Sequence, residues 1–156
     1  MSRGSRLAAA AAILLAGLLR ADEPPKPPVA RPARVFETAM IEIGHRYQEL
    51  YWAGRDANWD YALFQAMRMR GAFQSALDAK PERASDMASF LMSVVPAMED
   101  AAARKDAEAF KGRFAAMTSA CNGCHEIAKM PFLLVRPPIA RASAVGPPAR
   151  RTPGNR

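Results

Sequence analysis

The sequence predicts an all-α fold, an antiparallel four-helix bundle, and three observations carry that prediction. Apolar residues recur at alternating steps of three and four through four segments. The connections between those segments are short, with glycine and proline falling mainly between them. Roughly 100 residues lie between Ala33 and Met130, enough for one domain around one core.

The first helix is expected over residues 33–53, with Phe36, Met40, Ile43, Tyr47 and Leu50 on one face. Gly54 reads as its C-terminal stop. The second is expected over 58–79, burying Trp59, Ala62, Leu63, Ala66, Phe73 and Leu77, with Asn58 as candidate N-cap. Lys80-Pro81 separates it from the third, 82–104, whose stripe is Met87, Leu91, Val94, Met98 and Ala101. Pro96 lies inside that helix and is expected to kink it, because it lacks an N–H and crowds the carbonyl four residues back. The fourth starts at Asp106, a good cap, and carries Phe110, Phe114, Met117, Cys121 and Cys124 along one stripe. Four amphipathic helices with short connections bury their stripes as an up-down bundle, whose interior can host a cofactor.

The end of the fourth helix carries the chemistry. Cys121-Asn122-Gly123-Cys124-His125 is C-x-x-C-H, the attachment pattern of c-type haem. Two thiols three residues apart share a helix face and can each add to one haem vinyl group, while the next residue supplies an imidazole to the iron. The chain has two cysteines and two histidines in all, so the pentapeptide is not drawn from a surplus. Both cysteines continue the apolar stripe, which sets one covalent haem c against the bundle core.

Three rival readings use the same residues. A thioredoxin-type C-x-x-C follows a strand and opens a helix, whereas this motif lies deep in a helical pattern with no strand pattern before it. A disulfide closing so short a loop within a helix is strained and leaves His125 unexplained. Cys121, Cys124, His125 and His45 make a Cys₂His₂ zinc set by composition, but adjacent Cys124 and His125 chelate a tetrahedral ion poorly and the usual H-x₃₋₅-H partner is missing.

Residues 1–21 read as a secretory signal peptide, with Arg3 and Arg6, an apolar run over 7–19, and Leu19-Arg20-Ala21 as an imperfect small-residue cleavage site. The run is short for a spanning helix; a retained anchor is the alternative. The expected location is the periplasm, where export and haem attachment agree. Residues 22–32 hold Pro24, Pro25, Pro27, Pro28 and Pro32 and are expected to form an extended spacer ahead of a haem domain over 33–135.

The whole chain is +7, and removing Arg3, Arg6 and Arg20 with the signal leaves +4. Arg136, Arg141, Arg150, Arg151 and Arg156 come with no acid, so residues 22–135 carry −1. The basic charge belongs to the ends, which argues against a nucleic-acid-binding face on the domain. The Pro/Gly/Arg-rich tail over 136–156 is expected to be disordered, either simply solvated or in weak contact with an anionic membrane surface or an acidic partner.

With its attachment motif near the end of the last of four helices, the chain resembles the cytochrome c′ family over residues 33–132. Globular cytochromes c instead place the motif near the N-terminus and supply a Met ligand downstream. The resemblance rests on Cys121, Cys124 and His125 and their placement. It implies thioether bonds at Cys121 and Cys124, a proximal iron bond from His125, and a haem whose other face meets the first helix. A basic residue a few positions past the motif His is usual in the family, and Lys129 fills that role approximately. Residues 130–138 depart from the usual ending, and 132–135 are expected to pack back over the haem or a helix end.

The sixth coordination position separates the functions. A side chain filling it suits single-electron transfer between redox protein partners, whereas an open, apolar position binds NO or CO. Met40, near the middle of the first helix's apolar face, is one candidate distal ligand, with core filling as its alternative. His45, roughly 140° from Met40 around that helix, is the other, with a surface hydrogen-bonding role as its alternative. Arg70 interrupts the second stripe, and a buried arginine needs an anion that a haem propionate would supply. Lys129, one turn past His125, is a second propionate candidate; the alternative for both is a solvated cation. Trp52, Trp59 and Tyr61 flank the first turn as a partner patch, a homodimer face or core packing. Nothing resembles a catalytic acid/base or nucleophile set, so the expected function is a monohaem electron carrier rather than an enzyme.

Overall fold

The structure, a computed structural model, describes residues 32–146. The expected signal peptide, nearly all of the proline spacer and the end of the basic tail lie outside those residues. All regular structure among the described residues is helical. Helix α1 is Pro32–Arg55 and α2 is Trp59–Ala79, followed by a 3₁₀ turn, Pro81–Arg83. The third helical rod, α3, runs through Ala84–Ser89, a π-helical turn Phe90–Val94, and Val95–Ala103; α4 is Ala107–Ile127. No helix among the described residues is long and apolar enough to cross a membrane.

Three of the four helices stop in the same way. Ala57, Lys105 and Lys129 adopt left-handed φ values of 53°, 58° and 62°. The amide after each reaches back five residues: Asn58 N–H to the Ala53 carbonyl at 2.9 Å, Asp106 N–H to Ala101 at 3.1 Å, and Met130 N–H to His125 at 2.9 Å. This is the Schellman stop, here without the usual glycine. Gly54, the stop expected from sequence, serves packing instead. A Cβ there would lie 2.1 Å from Cε1 of Phe110, so the missing side chain is what lets that ring come against α1. Asn58 makes no side-chain cap bond; its carbonyl accepts from Ala62 N–H at 2.9 Å. Asp106 does cap α4, its carboxylate accepting from Ala109 N–H at 2.9 Å.

The third stripe is displaced from the expected one. Phe90 and Val95 are buried in place of Leu91 and Val94, five residues apart, and Val95 N–H donates to the Phe90 carbonyl. The π turn inserts one residue just before Pro96, so the ring that was expected to kink the helix is accommodated by a shift of register.

Side-chain pairings give the directions of the helices. Between α1 and α2, Arg46 bonds Gln65 and Glu49 bonds Tyr61. Between α1 and α4, Tyr47 bonds Thr118, Tyr51 packs on Phe114 and Gly54 meets Phe110. Between α2 and α3, Arg70 bonds Glu99 and Phe73 stacks on Phe90. In each pair one number rises as the other falls, so these neighbours run antiparallel. The core contains Leu50, Met69, Val95, Met98 and Met117, each fully buried.

The aromatic residues at the first turn pack rather than form a free patch. Trp59 meets Phe110 edge-on at 5.6 Å, and Tyr61 O–H donates to the buried Glu49 carboxylate at 2.8 Å. The described part of the tail, 136–146, has no regular structure but is docked here, a departure from the expected disorder. Arg141 lies 4.6 Å over the Trp52 ring and pairs with Asp56 at 2.7 Å, while Ser143 O–H donates to Glu49 at 2.5 Å. Glu49 and Asp56 supply the anionic partners that hold this segment down.

Candidate cofactor site

At the other end of the bundle the four helices stand apart around a cavity of about 510 Å³. Native interiors leave few voids larger than a water molecule, and ligand pockets span about 300–1,000 Å³, so this space has the size of a ligand pocket. Met40 and Tyr47 line it from α1, Met69 and Phe73 from α2, Met87 and Phe90 from α3, and Cys121, Cys124 and His125 from α4. The sequence delivers α4 to this position because its stripe Phe110, Phe114 and Met117 is buried, which carries Cys121 and Cys124 onward along the same face. Tyr47 is fixed by its O–H donating to Thr118 Oγ1 at 2.8 Å, since the Thr118 hydroxyl hydrogen is already committed to the Phe114 carbonyl at 2.9 Å.

Both thiols are free. Burial, with Cys124 close by, pushes the Cys121 thiol up to about 12. Burial also raises Cys124, against a partial offset from the nearby Arg83 guanidinium. Thiols held neutral in this way are slow to form disulfides, because that reaction uses the thiolate. Among the described residues no three His, Cys, Asp or Glu side chains gather to hold a metal ion. His45 is exposed and does not line the cavity, so the Cys₂His₂ zinc set is not assembled.

His125 is oriented from outside the helix. Its Nδ1 lies 2.5 Å from the Leu133 carbonyl oxygen. A carbonyl can only accept, so Nδ1 carries a proton, and in the neutral imidazole this tautomer puts the lone pair on Nε2. The carbonyl is brought there by residues 130–135, which turn back after Lys129 and cover the cavity, as expected for 132–135. Asn122 ties that segment down: Val135 N–H donates to its Oδ1 at 2.8 Å, and its Nδ2 donates to the Val135 carbonyl at 3.1 Å.

The remaining candidates divide. Met40 lines the cavity, whereas His45, on the flank of α1, does not, so it is not a distal ligand in this arrangement. Arg70 has its anion elsewhere: Nε donates to Glu99 Oε1 at 2.9 Å and a second nitrogen bonds Oε2, so it is not directed at a propionate. Lys129 is exposed at the end of α4 and also does not line the cavity. The cation that does line it is Arg83, paired with Asp86 at 3.2 Å. Arg83 falls in the first turn of the third helix as read from sequence, off its apolar stripe, and lies in the 3₁₀ turn that precedes α3, while Asn122 occupies a variable position of the motif; no local signal marks either one. At the mouth, Ile41 and Phe132 line the opening while 74% and 77% exposed.

Two thiols, an imidazole with its Nε2 free and one guanidinium in a single apolar cavity are a donor set that fits haem c. No protein-family model, no curated protein and no solved structure matches the chain.

Proposed function

We propose that the protein is an exported, periplasmic monohaem c-type cytochrome that passes single electrons between redox protein partners. The observation that carries this reading is the convergence of Cys121, Cys124 and His125 on one apolar cavity, with His125 Nδ1 already engaged by the Leu133 carbonyl. Cys121 and Cys124 would hold the haem by thioether bonds, His125 would bind its iron through Nε2, and Arg83 would face a propionate carboxylate. When bound, haem supplies a one-electron change at iron. The chain's own part is to bury the group, to fix the imidazole and to keep water from it. Met40, which lines the cavity from the neighbouring helix α1, is the candidate sixth ligand that would favour electron transfer over gas binding.

A second reading, a five-coordinate NO- or CO-binding protein, is favoured by the apolar neighbours of Met40 on α1. Phe36 and Ile43 line the same wall and offer no ligand.

The test is an absorption spectrum, oxidised and reduced, with and without CO, on protein expressed alongside a cytochrome c maturation system. Sharp reduced α and β bands that CO leaves unmoved support electron transfer, and loss of those bands in Met40→Ala assigns the sixth ligand. A broad high-spin spectrum that CO sharpens replaces it with the gas-binding reading. Protein without covalent haem replaces both with a non-haem helical module.

A further inference from the structure

Asn122 is the first variable residue of the attachment motif, yet its side chain is spent on the chain beyond the helix. By donating to the carbonyl and accepting from the N–H of Val135, it pairs both polar groups of one backbone residue, as a neighbouring strand would. The clamp closes a loop between positions thirteen apart, and within that loop Leu133 presents its carbonyl to His125 Nδ1. Beyond the clamp, Met130 N–H donates to the His125 carbonyl at 2.9 Å where the helix ends and Val135 packs on the core; the remaining backbone bond, Leu133 N–H to the Met130 carbonyl at 3.0 Å, is internal, and Phe132, Leu133 and Leu134 are 77%, 44% and 54% exposed.

We infer that Asn122 is a positioning residue that sets the reduction potential of the site, by clamping Val135 so that the Leu133 carbonyl stays on His125. The inference rests on the haem reading of the cavity. A hydrogen bond from Nδ1–H to a carbonyl strengthens the opposite nitrogen as a ligand. A stronger imidazole donor favours ferric iron, so releasing the bond raises the potential.

Asn122→Ala removes both clamp bonds and Val135→Pro removes the one made by the Val135 N–H, and neither substitutes a thioether or iron-binding residue. Alanine also suits the interior of α4, so helix content measured by circular dichroism should hold. With haem attached as in wild type, each variant should show a midpoint potential shifted upward. The double variant should shift little beyond either single one, because both remove the same contact. In Asn122→Ala the Val135 amide should also lose its hydrogen-exchange protection. A variant that carries haem, loses that protection and keeps the wild-type potential overturns the inference while the haem reading stands. A wild-type protein with no covalent haem overturns both.

Discussion

Where α1 turns into α2, Ala53, Ala62, Ala66 and Ala102 let the helices close until the Phe110 ring lies on Gly54, whereas at the other end Met40, Met69, Phe73 and Met87 stand back from a cavity of about 510 Å³. The same four helices build both ends, and the difference lies in side-chain size. Small residues bring backbones together and leave aromatic rings to fill what remains. Long, flexible methionines line a space that the chain's own atoms do not fill. Close packing and hollow space are therefore separated along the bundle axis.

The contrast is sharpest in thiol chemistry. In the haem-free protein the Cys121 thiol is pushed up to about 12 from an ordinary 9.0, so at pH 8 its thiolate is depleted about a thousandfold. Iodoacetamide should alkylate Cys121 slower by about that factor than in the urea-unfolded chain. Peptide mass mapping should find Cys124 modified first, because Cys121 has the more strongly raised thiol. Equal rates in folded and unfolded protein would mean that the open end is wet. The sign of the shift also fixes a pH dependence. The folded state keeps a proton that the unfolded state gives up above pH 9, so this contribution is complete below 9 and is lost as pH rises through 9 to 12. Urea melts at pH 8 and pH 10.5 should show the loss at the higher pH.

Next in size is the asymmetry in packing. Leu50→Ala, at a fully buried position, should cost about 2–5 kcal/mol in urea denaturation of the haem-free protein. Met40→Ala, half-buried on the cavity wall, should cost less than about 2 kcal/mol because its far side has few partners to lose. Equal costs would erase the distinction between the ends. Gly54→Ala should cost about 1–3 kcal/mol by overpacking, and most of that penalty should vanish in a Phe110→Ala background. The smallest effect expected is at the N-cap of α4. Asp106→Ala should cost about 1 kcal/mol, and haem attachment at the far end should be untouched.

Much of the closed end was legible in the sequence because burial there follows the helical period. Leu50, Ala62, Ala66, Met98, Phe110, Phe114 and Met117 were all read from their spacing and are buried. Helix ends were less legible, since Ala57 and Lys105 take a left-handed conformation that residue type does not announce, while Gly54 signals a stop it does not make. At the open end, Cys121, Cys124 and His125 stood out as a motif and converge on one cavity. Their supporting residues did not. Arg83 approaches Cys124 from another part of the chain, Asn122 finds its partner thirteen positions on, and Arg70 finds Glu99 twenty-nine positions on, distances at which no local periodicity operates.

The five-residue step from Phe90 to Val95 gives the third rod two phases. Upstream of it Met87 and Phe90 look into the cavity; downstream Val95 and Met98 fill the closed core. A continuous α-helix would carry one azimuth through both halves, and the added residue resets it by about 100°. Counting, more than composition, thus marks where the hollow half ends: removing any single residue of that turn would leave the amino-acid content nearly intact and rotate one half of the rod out of alignment with the other.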